Sequence, residues 1–161
     1  MRKFGVIVSS DSCYNKTQED LSGKAIVEFM EAKGYELDRI VILPDERDML
    51  ANELRKFVKD KTPLVLTTGG TGFSKRDVMP EATKDVIERE AMGIVEAMRI
   101  KSLEITSRAM LSRAVAGIAD DTLIINMPGS KKAVLESLDI IDAVEHGLGI
   151  LLGETGNCGR K

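Results

Sequence analysis

The stretch from Pro63 to Thr83, PLVLTTGGTGFSKRDVMPEAT, constrains the fold of this chain more than any other. It opens with Leu64, Val65 and Leu66, an apolar run too short for a helix and suited to a buried strand. The chain then breaks into Thr67, Thr68, Gly69, Gly70, Thr71 and Gly72. Three glycines in four positions admit left-handed backbone and leave main-chain N–H groups open to close approach. Lys75, Arg76 and Asp77 follow, and Pro80-Glu81 marks a helix start. Strand, glycine turn and helix start form either an anion cradle or a tight structural turn, and both readings stand at this point.

The same alternation of apolar run, polar break and helical spacing recurs along the chain. Strands are expected at Phe4–Val8, Leu37–Leu43, Leu64–Leu66 and Asp121–Asn126. Helices are expected from Leu21 to a stop at Gly34, then over Met49–Lys59, Pro80–Glu90, Gly93–Leu103 and, as one long element, Lys131–Leu152. Cys13–Gly23 reads as a polar loop, Ser107–Ala116 has no clear pattern, and Gly153–Lys161 reads as a frayed tail. Strands separated by helices predict an α/β fold: a three-layer α/β/α arrangement with a mostly parallel sheet. No linker interrupts the chain, so residues 1–161 are expected to form one domain. The last helical pattern is apolar over much of its circumference, which predicts burial by a neighbour or a second subunit.

Composition removes several function classes. The net charge is −3 and aromatic content only 4%, with no basic stripe, so nucleic-acid binding has no support. No run approaches the roughly 20 apolar residues needed to cross a bilayer. Arg2 and Lys3 precede an apolar run, but Phe4–Val8 is shorter than the roughly 7–15 residues of a signal core, so a first strand is expected there. Cys13 and Cys158 have no motif spacing, which predicts free thiols in a reducing cytoplasm. The single histidine, His146, falls within a helical pattern and argues against a histidine-based triad or metal site.

In open α/β sheets ligands bind beyond the carboxyl ends of the strands. The candidate residues fall there together: Ser10 and Asp11 after the first strand, Asp45 after the second, Thr68 to Gly72 after the third, and Asn126–Ser130 after the last. The glycine loop is not a phosphate-binding G-x-x-x-x-G-K-[ST] loop, nor a dinucleotide fingerprint, because Lys75 stands where a third glycine belongs. Carboxylates beside a phosphate cradle repel the ligand unless a cation intervenes, and Mg²⁺ held by Asp45 and Asp77 would do so. For Asp77 the alternative is a helix cap or first-turn carboxylate. Pro128, Gly129 and Ser130 repeat the logic of strand end, turn and helix start, with Lys131 and Lys132 as counter-charges or solvated surface. Two candidate anion sites at one edge suggest a ligand with several phosphates, or two ligands meeting.

Four segments carry a resemblance: TTGGTGFSKRDVMPEAT, LPDE at Leu43–Glu46, SLEITSRAMLSRAVAGI at Ser102–Ile118 and NMPGSKKAVLE at Asn126–Glu136. In order and length they resemble the molybdopterin adenylyltransferases of molybdenum cofactor biosynthesis, and the resemblance covers nearly the whole chain. It implies a three-layer α/β fold assembled as a homotrimer or a dimer of trimers. It also implies transfer of AMP from ATP, with a divalent cation, to the terminal phosphate of molybdopterin. The product would pass to a molybdenum-insertion partner. By the same resemblance Asp45 and Asp77 serve catalysis and Mg²⁺, while the glycine loop (Gly69, Gly70, Thr71, Gly72), Ser102 and Pro128-Gly129-Ser130 contact the ligands. Ser107-Arg108 departs from the family, whose members often carry a proline and a non-basic residue there. A rival expectation is a carrier that holds molybdopterin without catalysis. Two intact aspartates favour the enzyme, since a binder of an anion gains nothing from bare carboxylates.

Overall fold

The computed structural model describes residues 1–154. In chain order it comprises β1 (Lys3–Ser9), α1 (Asp11–Tyr14), α2 (Ser22–Ala32), β2 (Glu36–Leu43), α3 (Arg47–Lys59), β3 (Leu64–Thr68), α4 (Met79–Lys84) and β4 (Arg89–Glu90). There follow α5 (Met92–Leu103), a 3₁₀ turn at Ser107–Leu111, β5 (Ala116–Ala119), β6 (Thr122–Met127), α6 (Lys131–Ser137), a second 3₁₀ turn at Leu138–Ile140, and α7 (Ile141–Leu151).

These strands form a six-stranded sheet in the order β2-β1-β3-β6-β5-β4. β2, β1, β3 and β6 run parallel; β5 and β4 are antiparallel additions at one edge. Every residue of β3 and β6 is buried, as expected of parallel strands covered on both faces, which read as continuous apolar runs. The edge strand β2 is half-exposed and carries Asp38 and Arg39, charges that blunt a free edge.

Alternation along the strands divides the core in two. Val6, Val8, Leu64, Leu66, Ile125 and Met127 face a cluster completed by Ile26 and Met30 of α2, Val95 and Met98 of α5, and Val144 and Leu148 of α7. Ile7, Val65 and Ile124 point the other way, onto Leu50, Leu54 and Phe57 of α3 and Met79 and Ala82 of α4. Each fully buried large side chain contributes about 1.5–3 kcal/mol, and the two clusters make the three expected layers.

Local order differs from the sequence expectations in four places. The polar segment Cys13–Gly23 is not all loop: α1 closes one helical turn over Asp11–Tyr14, and α2 already begins at Ser22. The helix expected over Pro80–Glu90 stops at Lys84, and Arg89–Glu90 instead pairs with β5. Ala116, at the end of the unpatterned segment, starts β5. The long helix over Lys131–Leu152 is interrupted at Leu138–Ile140. Of the tail, residues 155–161 lie outside the described residues, as does Cys158. No described helix is long and apolar enough to cross a membrane.

Candidate functional site

Parallel pairing brings the carboxyl ends of β2, β1, β3 and β6 into one row, so the segments after them share an edge. At the end of β1 the buried Ser9 donates its hydroxyl to Asp45 Oδ1 at 2.5 Å. Asp45 and Asp11 then lock reciprocally: Asp11 N–H donates to Asp45 Oδ2 (3.1 Å) and Asp45 N–H to Asp11 Oδ1 (3.0 Å). Ser10 caps α1, its Oγ accepting Cys13 N–H at 3.1 Å, while its own N–H ties to Leu43 O in β2.

The glycine loop leaves β3 through Thr68, whose hydroxyl donates to Pro128 O at 2.7 Å and so joins the loops after β3 and β6. Gly69 has φ +88°, and a Cβ there would sit 2.3 Å from the carbonyl oxygen of Ser9. The loop backbone therefore lies directly on the end of β1, a placement only glycine permits. The helix does not follow the glycines at once. Residues 73–78 form a turn, and Met79 N–H folds back to Gly70 O at 3.1 Å. Asp77 caps that turn and not α4: its Oδ2 accepts Ser74 N–H at 2.9 Å, while the N-cap of α4 is Val78.

Arg113 organises this turn. Its Nε donates to Gly72 O and its Nη2 to Asp77 O, both at 2.8 Å; its Nη1 bonds the Glu81 carboxylate, and its N–H donates to Thr71 O at 2.9 Å. Beneath the site the fully buried Asn126 donates to the hydroxyls of Thr67 (3.0 Å) and Thr83 (2.8 Å) and accepts from Val115 N–H (3.1 Å). Asn126 thus belongs to the core of β6 and not to the loop after it. Neither Arg113 nor Ser9 is marked by the sequence pattern, because their acceptors are backbone groups or residues remote in the chain.

Two cavities flank the glycine loop. One, of about 280 Å³, is lined by Thr71, Gly72, Ser102, Pro128 and the guanidinium-bearing Arg99 and Arg108. The other, of about 340 Å³, is lined by Ser10, Thr68, Gly69, Gly129, Ser130 and Lys131. Most of the expected ligand residues are therefore divided between two cavities, which touch different residues of the loop: Thr71 and Gly72 in one, Gly69 in the other. Asp11, Gly70, Asp45 and Asp77 line neither of them. Ser130 caps α6, its Oγ accepting Ala133 N–H at 3.2 Å.

Some charges at the edge are paired. Arg76 forks onto Asp11 and reaches Glu46, and this fork, with Asp45 N–H, holds the Asp11 carboxyl below its ordinary value. Burial pushes Glu81 up, but Arg113 outweighs it and leaves that carboxyl below its ordinary value too. The described residues contain no group of three or more His, Cys, Asp or Glu side chains that could hold a metal ion. Mg²⁺ needs less, being commonly held by one or two carboxylates with phosphate oxygens and water. Asp45 and Asp77 suit that mode, since the hydrogen bonds they accept leave carboxylate lone pairs unused.

Residues 5–146 match the family model described as "Probable molybdopterin binding domain". A molybdopterin adenylyltransferase from Helicobacter pylori strain J99 is 41% identical over 156 residues, which span 93% of this chain and 88% of that one. The molybdenum cofactor synthesis protein cinnamon of Drosophila melanogaster is 38% identical over 98% of this chain, which spans only 27% of its length. The crystal structure of the molybdopterin biosynthesis enzyme MoaB from Thermus thermophilus superposes with a TM-score of 0.90 at 37% identity, covering 95% of this chain and 98% of the other.

Proposed function

This chain belongs to the molybdopterin-binding domain family of molybdenum cofactor biosynthesis, and we propose that it transfers AMP from ATP to the terminal phosphate of molybdopterin. The observation that carries the reading is the pair of cavities against the glycine loop, one touching Thr71 and Gly72 and the other Gly69. Arg99 and Arg108 line the first beside Glu136, and Lys131 lines the second beside Glu19 and Asp20. A loop shared by two cavities suits a reaction that joins two phosphate-bearing substrates. Relatives named for the same transfer support it.

In the reaction a phosphate oxygen of molybdopterin bonds to the α-phosphorus of ATP as the bond to the β-phosphate bridging oxygen breaks. Pyrophosphate leaves with that electron pair. The attacking phosphate is already ionised near neutral pH, its second pKa being about 6, so no general base is needed. Open N–H groups of the glycine loop, with Arg99, Arg108 and Lys131, face the charge that develops. Asp45 and Asp77 are the residues that would hold Mg²⁺, which when bound neutralises phosphate charge. Ser10, Thr68, Ser102 and Pro128-Gly129-Ser130 complete the ligand contacts in this reading, while Asp11, bonded to Asp45 and Arg76, supports the site from outside the cavities.

The same reading extends to context. Residues 1–161 act as one domain, assembled as a homotrimer or a dimer of trimers. The enzyme works in the cytoplasm, where ATP is available, and hands its product to a molybdenum-inserting protein.

Pyrophosphate release from ATP and Mg²⁺, with and without molybdopterin, tests the proposal against Asp77→Asn and Asp45→Asn. Release that requires molybdopterin and collapses in both variants is the expected result. Molybdopterin binding without any pyrophosphate release would instead identify a carrier.

A further inference from the structure

Arg76 stands directly before Asp77, yet its side chain is committed to the opposite loop. Nε and Nη2 donate to Asp11 Oδ2 and Oδ1 at 3.0 and 2.9 Å, and Nη1 donates to Glu46 Oε1 at 2.9 Å. Both acceptors are immediate partners of Asp45. Glu46 follows it in the chain, and Asp11 exchanges two hydrogen bonds with it, at 3.0 and 3.1 Å. One guanidinium therefore runs from the neighbour of Asp77 to two groups that fix Asp45.

Its neighbourhood makes the connection rigid. Asp77 is held by its own cap on Ser74 N–H and by Arg113 on its carbonyl, so Arg76 projects from a turn that is fixed at both ends. Asp45 is held from the other side by the buried Ser9. A two-pronged arginine–carboxylate contact specifies orientation as well as distance, which a lysine ammonium does not. The side chain is half-exposed, 51% accessible, and ion pairs of that kind add little to global stability. The geometry suits the control of a distance better than the support of the fold.

We propose that Arg76 is a positioning residue that sets the separation of the two loops carrying Asp45 and Asp77. The inference rests on the reading above, in which those two carboxylates act in adenylyl transfer. Arg76 itself touches no reacting atom; it keeps the pair in register. A misplacement of catalytic groups by 1 Å costs about 100-fold in rate, so the effect belongs in turnover and not in substrate affinity.

The test is steady-state pyrophosphate release with ATP, Mg²⁺ and molybdopterin for Arg76→Ala, Arg76→Lys and Asp11→Asn, beside Asp45→Asn and Asp77→Asn. Arg76→Ala should lower kcat by about 10- to 100-fold while KM for ATP moves far less. Arg76→Lys should restore only part of it, because one ammonium does not replace the fork. Asp11→Asn should lower kcat too, and combining it with Arg76→Ala should add little, since both break one link. Turnover of Arg76→Ala close to wild type overturns the proposal. So does a raised KM for ATP at unchanged kcat, which would make Arg76 a phosphate ligand.

Two controls separate this inference from the reading beneath it. If Asp45→Asn and Asp77→Asn keep normal turnover, the catalytic assignment of the carboxylates falls, whatever Arg76 does. Backbone hydrogen exchange needs no turnover: Arg76→Ala should accelerate exchange in residues 44–47 and 74–78 together. Unchanged exchange in both segments refutes the clamp directly.

Discussion

Arg113 Nε donates to the carbonyl oxygen of Gly72 across 2.8 Å, joining the segment before β5 to the turn after β3. The same guanidinium holds Asp77 O and the Glu81 carboxylate, so its removal orphans three acceptors at once. Hydrogen bonds from a charged group contribute about 1.5–3 kcal/mol each, but this side chain is 35% exposed and water replaces part of the loss. Arg113→Ala should therefore cost about 2–3 kcal/mol overall and weaken ATP binding as the glycine loop loosens. Arg113→Lys should not restore either property, because the fork is lost. Urea denaturation and calorimetric ATP titration check this. Unchanged midpoint and affinity in the alanine variant would remove Arg113 from the account.

Gly69 and Gly93 give a contrast within one residue type. At Gly69 a methyl would meet Ser9 O at 2.3 Å in a backbone with φ +88°. The conformational strain alone is about 1–3 kcal/mol, and relief requires moving Ser9, which holds Asp45. Gly69→Ala should lower both stability and turnover. At Gly93, within α5, an added Cβ meets nothing within 4 Å, so Gly93→Ala should gain up to about 1 kcal/mol from helix propensity. Thermal midpoints that move in opposite directions are the expected result; equal shifts would contradict it.

Gly72 poses a local version of the same question. A Cβ at this position would lie 2.9 Å from Asp77 Oδ2, against a side chain and not the backbone of a strand. Gly72→Ala should therefore leave the fold nearly intact while displacing Asp77 from Ser74. The expected outcome is an unchanged melting temperature with turnover reduced by about 10-fold or more. A variant as active as wild type would show that the position of Asp77 is not critical.

Much of this architecture is legible in the sequence because the parallel strands are covered on both faces. Leu64–Leu66 and Leu123-Ile124-Ile125 are apolar without alternation, and glycine, proline and aspartate mark their ends. The antiparallel edge leaves no such trace. β4 is the two polar residues Arg89 and Glu90, and β5, AGIA, is built mostly of poor strand formers; tertiary pairing alone makes them strands. The interruption of the last helix is equally silent, with no proline or glycine near residue 138. There Ser137 donates its hydroxyl to Ala133 O at 2.8 Å, a back-bond that bends helices. At the site, the candidate loops were legible from turn chemistry at strand ends. The residues that join those loops were not, since the partners of Arg113 and Arg76 lie 30 or more positions away.

Acid titration provides a further check. Asp11 is held below its ordinary value first by Arg76, and Glu81 remains below its own although burial opposes this. A carboxyl depressed in the folded state adds stability that is complete above its unfolded value, about 4. That stability is lost as pH falls through the folded value. Denaturation midpoints should therefore show no loss from these groups between pH 7 and about 5, then fall below about 4. Asp11→Asn and Glu81→Gln should each flatten the acid limb. An acid limb identical to wild type in both variants would exclude these pairs as its cause.

Asn126 tests whether the site rests on a polar core. All three of its side-chain hydrogen bonds are buried, linking β6 to Thr67 in β3, to Thr83 in α4 and to Val115 before β5. Asn126→Leu keeps the branching and the number of side-chain heavy atoms, though not the volume, and leaves two hydroxyls and one N–H without partners. Each unpaired buried group costs about 1–3 kcal/mol, so a loss of about 3 kcal/mol or more is expected. Replacing both partners of a buried bond is far less damaging than replacing one. Adding Thr67→Val and Thr83→Val to Asn126→Leu should then recover part of that loss, leaving only Val115 N–H unpaired. Denaturation of the single and triple variants decides the matter: a triple variant less stable than Asn126→Leu would mean that the threonines support the fold by packing and not through the asparagine.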